Sequence, residues 1–146
     1  MGGFIREGFR DALLGGAKLI VIDPKQVDIA KRASLWIAPR PNTDGVLAMG
    51  IIKYLIEQKL YDDEFVKNWT VGFEELKNEI GTFTFEDVER ISWISKETIR
   101  KFTDILVTQK PVCLVVGNGL EKSIHAFQQL RAVFIMRALL GHMNSP

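Results

Sequence analysis

An unbroken run of four branched apolar residues at positions 19–22 is the clearest pattern in the chain, and Asp23-Pro24 follows it directly. Such a run is typical of a strand buried on both faces, as in a parallel sheet, because a strand with one solvated face would alternate. Pro24 has no N–H group and disfavours a helical Asp23, so we expect the strand to end in a turn. A short helix near residues 27–33 and a second apolar segment at residues 35–38 are predicted next.

Apolar residues at helical spacing predict helices before and after this strand. The first covers residues 4–13 and ends at Gly15-Gly16, and a longer one runs from about residue 46 to residue 58. Further helix starts are indicated by N-capping residues, which are Asp62, Thr84 and Ser95. We interpret the middle third of the chain as a succession of short helices.

A second unbroken apolar run, at residues 112–116, predicts another buried strand. It contains Cys113, and in such a run a thiol behaves as a small core residue. The final helix, from about residue 123 to residue 140, becomes apolar on nearly every side. This pattern predicts that other parts of a protein pack against it on several sides. Because residues 144–146 also resemble a loop, we expect the chain to be a piece of something larger.

These elements predict an α/β fold, in which a doubly wound, mostly parallel sheet is flanked by helices in a Rossmann-like arrangement. The 146 residues are enough for one domain, and we expect residues 1–146 to form a single one. Hydrophobic residues make up 47% of the chain and charged residues 25%, which are ordinary globular values. A net charge of +1 removes the electrostatic argument for a nucleic-acid partner, and no apolar run suggests direct membrane insertion. The start of the chain lacks a signal-peptide pattern, so the cytoplasm is the default location, with export of a parent chain left open.

Two polar residues follow the first predicted strand. In open parallel sheets, ligands bind outside the carboxyl ends of the strands, where Asp23 and Lys25 would lie. Asp23 could accept hydrogen bonds from a ribose or a guanine edge, and Lys25 could pair with a phosphate. Asp23 could equally well only organise the turn, with Lys25 in solvent.

Two further segments have ligand-binding chemistry. Asn42, Thr43 and Asp44 precede a helix, whose free N–H groups suit a phosphate or a base edge, although helix capping explains Thr43 or Asp44 equally well. Residues 117–119 (Gly117, Asn118 and Gly119) allow close approach of the backbone, but they lack the third glycine of a dinucleotide fingerprint.

The remaining polar and aromatic residues indicate no catalytic site and no metal site. The two histidines, His125 and His142, lack metal-ligand spacing, and we interpret them as structural or surface residues. The three tryptophans are separated along the chain, and we interpret them as core or interface residues.

Several segments resemble a known family when they are taken together. They are GAKLIVIDPK at residues 16–25, RPNTDG at 40–45, LYDDEFVKNWTVGFEEL at 60–76, VVGNG at 115–119 and the ending GHMNSP. Their sequence and order resemble the molybdopterin oxidoreductases, the dimethyl sulfoxide reductase family of molybdenum and tungsten enzymes. The resemblance extends from about residue 4 to residue 146.

The resemblance implies that the chain holds the guanosine end of bis(molybdopterin guanine dinucleotide), with molybdenum or tungsten in the parent enzyme. Asp23 would bond the guanosine ribose or base, Lys25 would stand near phosphate in place of the usual arginine, and Asp44 would bind the guanine edge. The slot would be shaped by Ile22, Pro41 and Thr43. The loop of Gly117, Asn118 and Gly119 would approach the pterin or the pyrophosphate.

Departures from the family pattern limit what we expect of the chain alone. Asn42 stands where glycine is usual, and Ser34 replaces a common aspartate. The family's cysteine cluster, metal ligand and C-terminal cofactor domain have no counterpart in the chain, so we expect it to lack both catalysis and bound cofactor by itself. Its expected partners are the rest of the catalytic subunit and, as a candidate, an iron–sulfur electron-transfer subunit.

Two alternatives of another kind remain on the sequence alone. The chain could be a non-catalytic binding or assembly module, with an unused nucleotide crevice and an apolar final helix that docks a partner. A weaker alternative is an independent dinucleotide-binding domain.

Overall fold

The computed structural model describes the backbone of residues 3–143 and the side chains of residues 8–143. The predicted terminal loop at residues 144–146 lies outside the described residues. The chain divides into two compact units, the first ending at Ala38 and the second beginning at Pro39. The expectation of a single domain stays a prediction.

The first unit begins with helix α1 (Gly3–Leu14), which ends at the predicted glycine pair. Gly16 adopts a left-handed backbone with φ +90°. Its N–H donates to the Leu13 carbonyl at 3.1 Å, and the Ala17 N–H donates to the Ala12 carbonyl at 3.0 Å. This pair of bonds is the Schellman arrangement that satisfies the last carbonyls of a helix, and it confirms the predicted helix end.

Two short strands follow, β1 (Ile20–Ile22) and β2 (Leu35–Ile37), with a 3-10 helix at Ala30–Arg32 between them. The strands pair in parallel, with Ile20 opposite Leu35 and Ile22 opposite Ile37. This pairing, in a chain that is otherwise rich in helices, confirms the predicted α/β class. The doubly wound, Rossmann-like arrangement stays a prediction.

The expectation that β1 is buried on both faces is wrong for the described residues. Ile22 is 36% exposed, and Ile20 and Val21 are half-buried. Within the first unit, β1 packs mainly against β2, so its two faces lack the helices that cover a parallel strand on both sides.

The second unit is built from helices around α2, which packs against α4, α5, α6 and α8. Its core includes several residues of α2, among which Ile51, Ile52 and Leu55 are at most 1% exposed. None of the helices described is long and apolar enough to cross a membrane. The helices are α2 (Asp44–Glu57), α3 (Asp63–Trp69), α4 (Phe73–Gly81), α5 (Phe85–Ser92), α6 (Lys96–Thr108), α7 (Asn118–Glu121) and α8 (Ala126–Leu139).

The predicted N-caps are confirmed at three of these helices. Asp62 accepts a hydrogen bond from the Phe65 N–H at 2.9 Å, which caps α3. Thr84 and Asp87 form the reciprocal capping box of α5. The Ser95 hydroxyl accepts from the third residue of α6 at 3.3 Å. Each cap satisfies backbone donors that the first helical turn leaves unpaired.

The predicted buried strand at residues 112–116 is wrong. These residues form no ladder with any strand of the described chain, and they alternate between half-buried and exposed positions. Val115 is 73% exposed, and Cys113 is exposed rather than part of the core. Without a neighbouring strand, an apolar run has no ladder that would bury its backbone.

The aromatic residues are less buried than expected. Trp69 is 77% and Trp93 66% exposed, so these two are not core residues, while Trp36 is half-buried. An interface role for Trp69 and Trp93 stays a prediction. On α8, Phe127 is 76% and Phe134 48% exposed. The expectation that further structure covers α8 stays a prediction.

His142 follows α8 and is buried, whereas His125 is exposed. The Nε2 atom of His142 has no hydrogen-bond partner among the described residues. Burial lowers the pKa of His142 below its usual value, and the positive charges of Lys110 and Arg137 lower this pKa further. The neutral imidazole is therefore the form favoured in the folded chain.

Candidate functional site

In the first unit, Asp23 follows β1 and forms three hydrogen bonds, one as a donor and two as an acceptor. Its N–H donates to the Ile37 carbonyl at 3.0 Å, and its carbonyl accepts from the Trp36 indole at 2.9 Å. Its carboxylate oxygen Oδ1 accepts from the Lys25 N–H at 2.7 Å. Asp23 therefore organises the turn, which is one of the two roles that the sequence allowed for it. Its other carboxylate oxygen, Oδ2, takes no part in these bonds.

The side chains around this turn face solvent. Lys25 is exposed, Ile22 is 36% exposed and Asp23 is half-buried. A cation, an apolar side chain and a carboxylate are thus accessible within four residues of one another, which is chemistry suited to a phosphorylated sugar.

In the second unit, the turn at residues 40–45 leads into α2. Asn42 has a left-handed backbone with φ +66°, a conformation that asparagine adopts more readily than most non-glycine residues. This left-handed conformation explains how asparagine can stand where glycine is usual in the family that the motifs resemble. Pro41 and Asn42 are exposed, and Thr43 is 8% exposed. The turn thus presents its first residues to solvent and buries Thr43.

Thr43 holds this turn closed rather than capping α2 with its side chain. Its hydroxyl donates to the Arg40 carbonyl at 2.6 Å, and its N–H donates to the same oxygen at 3.2 Å. Its own carbonyl accepts from the first turn of α2. Side-chain capping therefore does not explain Thr43. Asp44, the first residue of α2, is half-buried.

Arg40 anchors the other end of the turn on the C-terminus of α5. Its N–H donates to the Ser92 carbonyl at 2.9 Å, and Ser92 is fully buried. The Arg40 guanidinium lies 5.7 Å from the centre of the Trp93 ring, within range of a cation–π contact. Trp93 itself has a left-handed backbone with φ +65°. Sequence reasoning missed the Arg40–Trp93 contact, for which no local pattern gives a signal.

Gln129 of α8 anchors the start of α2. The side-chain oxygen Oε1 accepts from the Gly45 N–H at 3.2 Å, and the amide nitrogen Nε2 donates to the Ser123 hydroxyl at 2.5 Å. Gln129 is 4% exposed. Sequence reasoning missed this residue as well, since it lies 84 positions from Gly45.

The predicted glycine loop leads into the four-residue helix α7. Gly117, Asn118 and Gly119 are all exposed. A Cβ atom added to either glycine would meet no described heavy atom within 4 Å, and neither glycine has a positive φ. Neither packing nor backbone conformation within the described chain therefore requires glycine here. Open access to the backbone is consistent with the predicted approach of a ligand.

Within the second unit, one side chain connects the start of α2 to the connection that follows the glycine loop. Through Gln129, the turn at residues 40–45 is connected to Ser123, four residues after the glycine loop. Asp23 and Lys25 belong to the first unit. In the described part of the chain, no three His, Cys, Asp or Glu residues are grouped so that they could hold a metal ion.

Comparison with known proteins identifies the family to which these segments belong. The family model described as molybdopterin oxidoreductase matches residues 5–146. The chain belongs to the molybdopterin oxidoreductase family. This confirms the resemblance drawn from the motifs, and membership indicates a pterin cofactor of molybdenum or tungsten.

Acetylene hydratase of Syntrophotalea acetylenica is 36% identical over 130 residues, which are 89% of this chain and 18% of that protein. The F420-dependent formate dehydrogenase subunit alpha of Methanocaldococcus jannaschii is 30% identical over 129 residues, 88% of this chain and 19% of the relative. A solved structure of acetylene hydratase from Pelobacter acetylenicus superposes with a TM-score of 0.87 at 35% identity, covering 92% of this chain and 19% of the other. The chain thus spans about a fifth of the length of each of these relatives.

Proposed function

We propose that this chain is the segment of a molybdenum or tungsten oxidoreductase that holds the guanosine end of molybdopterin guanine dinucleotide. The observation that carries the proposal is the turn at residues 40–45. It is anchored by Arg40 at one end and by Gln129 at the other, and it leads to the carboxylate of Asp44. A rigid turn that ends in a carboxylate suits recognition of a planar base with fixed hydrogen bonds.

The proposal gives each part of the ligand a partner of suitable chemistry. A guanine edge presents two neighbouring N–H donors. A carboxylate such as that of Asp44 can accept one hydrogen bond from each of them. In the first unit, Asp23 Oδ2 would accept from a ribose hydroxyl, and Lys25 would pair with phosphate. In the second unit, Pro41 and Thr43 would shape the slot through the turn. In the first unit, Ile22 would offer the ligand an apolar contact.

The glycine loop has a separate role in the proposal. Residues 117–119 would bring their backbone close to the pterin or the pyrophosphate, which glycine permits because it has no side chain. When bound in the parent enzyme, bis(molybdopterin guanine dinucleotide) supplies the redox chemistry at its metal, and the residues of this chain bind and orient the nucleotide end. Catalysis and partner contacts, including any iron–sulfur subunit, belong to the whole enzyme in this proposal.

Isothermal calorimetry of the 146-residue chain with GDP, ADP and NAD tests the proposal. We expect GDP to bind about tenfold more tightly than ADP, because one charge-assisted hydrogen bond is worth roughly 1.5 kcal/mol. Equal responses to the three nucleotides, or none in a sample whose far-UV circular dichroism shows the expected helices, would contradict it.

One observation favours a second candidate function, a binding or assembly module with an unused nucleotide crevice. The exposed Phe127 and Phe134 lie seven residues apart on α8, which places them on one side of the helix. An apolar face of this kind suits a protein partner. This candidate predicts no preference for guanine in the same titration.

A further inference from the structure

The side chain of Gln129 is buried, and both ends of its amide form hydrogen bonds. Oε1 accepts from the Gly45 N–H, in the first turn of α2, and Nε2 donates to the hydroxyl of Ser123, in the connection between α7 and α8. The same hydroxyl also accepts from the His125 N–H at 3.1 Å. One side chain thus joins two segments that are far apart in sequence.

Burying an amide between two helices costs desolvation free energy. An apolar side chain of similar size would fill the same space without desolvating polar atoms, whereas an amide requires partners at fixed positions. Satisfied buried polar groups therefore fix geometry more than they add stability. At this place they fix the N-terminal end of α2 relative to the connection before α8.

Gly45 and Gln129 are also matched in shape. A Cβ atom at position 45 would lie 3.0 Å from Gln129 Cγ and 3.2 Å from its Cα. The absence of a side chain at position 45 thus allows α8 to approach close enough for the Gly45 N–H to reach Oε1. The pair is therefore a point of close contact between the two helices.

We propose that Gln129 is a positioning residue for nucleotide recognition, although it does not touch the nucleotide itself. By holding Gly45 it fixes the orientation of the neighbouring Asp44, and by holding Ser123 it keeps the connection that follows the glycine loop in register with that carboxylate. This inference rests on the proposed function, since it assigns Gln129 a role in the same guanosine site. In this proposal Asp44 recognises the base, and Gln129 orients Asp44 through the backbone of Gly45.

The test compares Gln129→Met, which keeps the volume and removes both hydrogen bonds, with Gln128→Met on the exposed neighbouring position. The probes are GDP and ADP in calorimetry, and amide hydrogen exchange at Gly45 reports whether its bond is lost. We expect faster exchange at Gly45 and a guanine preference that falls roughly five- to tenfold, the equivalent of one hydrogen bond. Gln128→Met should change neither quantity.

The ratio of GDP to ADP affinity separates positioning from simple loss of stability. A variant that is merely less stable loses affinity for both nucleotides by the same factor. If Gln129→Met exposes the Gly45 amide and keeps the wild-type preference for GDP, the positioning role is overturned while the guanosine site stands. If the wild-type chain itself shows no preference for GDP, the proposed function fails, and the role of Gln129 fails with it.

A second variant covers the case in which Gln129→Met does not fold. Ser123→Ala removes only the partner of Nε2, at a half-buried position, and leaves the Gly45 bond possible. We expect a roughly two- to threefold loss of guanine preference from this weaker constraint. An unchanged preference in a folded Ser123→Ala chain would overturn the inference.

Discussion

Replacing Ile99 with alanine is expected to lower the free energy of unfolding by about 2–5 kcal/mol, the usual cost of truncating a fully buried isoleucine. Ile99 lies on α6 and is 0% exposed. A Cβ atom added at Gly50 would come within 2.9 Å of its Cδ1 atom, so α2 and α6 are in close contact here. Truncation would therefore leave a cavity between the two helices.

Denaturation in guanidinium chloride, followed by circular dichroism, measures this effect. The matched control is Ile124→Ala, because Ile124 is 89% exposed and loses little burial on truncation. We expect the control to stay within about 0.5 kcal/mol of wild type. Equal destabilisation by the two variants would contradict the assignment of the core to the packing around α2.

Replacing Asp44 with alanine is expected to abolish most of the preference for guanine. A hydrogen bond to a charged group contributes about 1.5 kcal/mol, so the ratio of GDP to ADP affinity should fall roughly tenfold, to near one. The cause is loss of the acceptor pair for the guanine edge. Affinity for ADP should change little, because adenine does not present the same pair of N–H donors.

Asp63→Ala provides the control for charge at a helix start. Asp63 is the first residue of α3, as Asp44 is of α2, and its carboxylate pairs with Lys67 at 2.5 Å. Removing either carboxylate is expected to cost about 0.3–1 kcal/mol of helix stability, but only Asp44→Ala should alter nucleotide selectivity. Calorimetric titration of both variants measures this difference, and an equal change in selectivity would exclude a specific role for Asp44.

Local features of the fold could be predicted because their causes lie within a few residues. The glycine end of α1 and the caps at Asp62, Thr84 and Ser95 each depend on side chains or backbone groups at most five positions away. The end of β1 was also predictable, because Pro24 has no N–H group and disfavours a helical Asp23.

Features that depend on distant partners could not be predicted in the same way. The apolar run at residues 112–116 has the composition of a buried strand, but composition does not specify whether a neighbouring strand exists. The exposure of Trp69 and Trp93 likewise depends on what packs against them. Gln129 reaches Gly45 across 84 positions, and no local pattern marks either residue as part of one constellation.

The candidate site likewise has features that local sequence predicts and features that depend on distant partners. The motifs identified the family and the segments with binding chemistry. Within the second unit, the structure adds how the turn at residues 40–45 is anchored, through Arg40 at one end and Gln129 at the other. It also shows that Thr43 closes the turn instead of capping α2 with its side chain. The roles of Asp23, Asp44 and the glycine loop toward a nucleotide stay predictions.

Amide chemical-shift mapping of the ¹⁵N-labelled chain tests the central claim most directly, because it locates the guanine nucleotide on the sequence. We expect GDP to shift the resonances of residues 41–45 and 117–119 most strongly, with a smaller response at Asp23 and Lys25, and we expect ADP to leave residues 41–45 nearly unchanged. Shifts concentrated on the exposed face of α8, around Phe127 and Phe134, or identical shifts with the two nucleotides, would contradict the guanosine site.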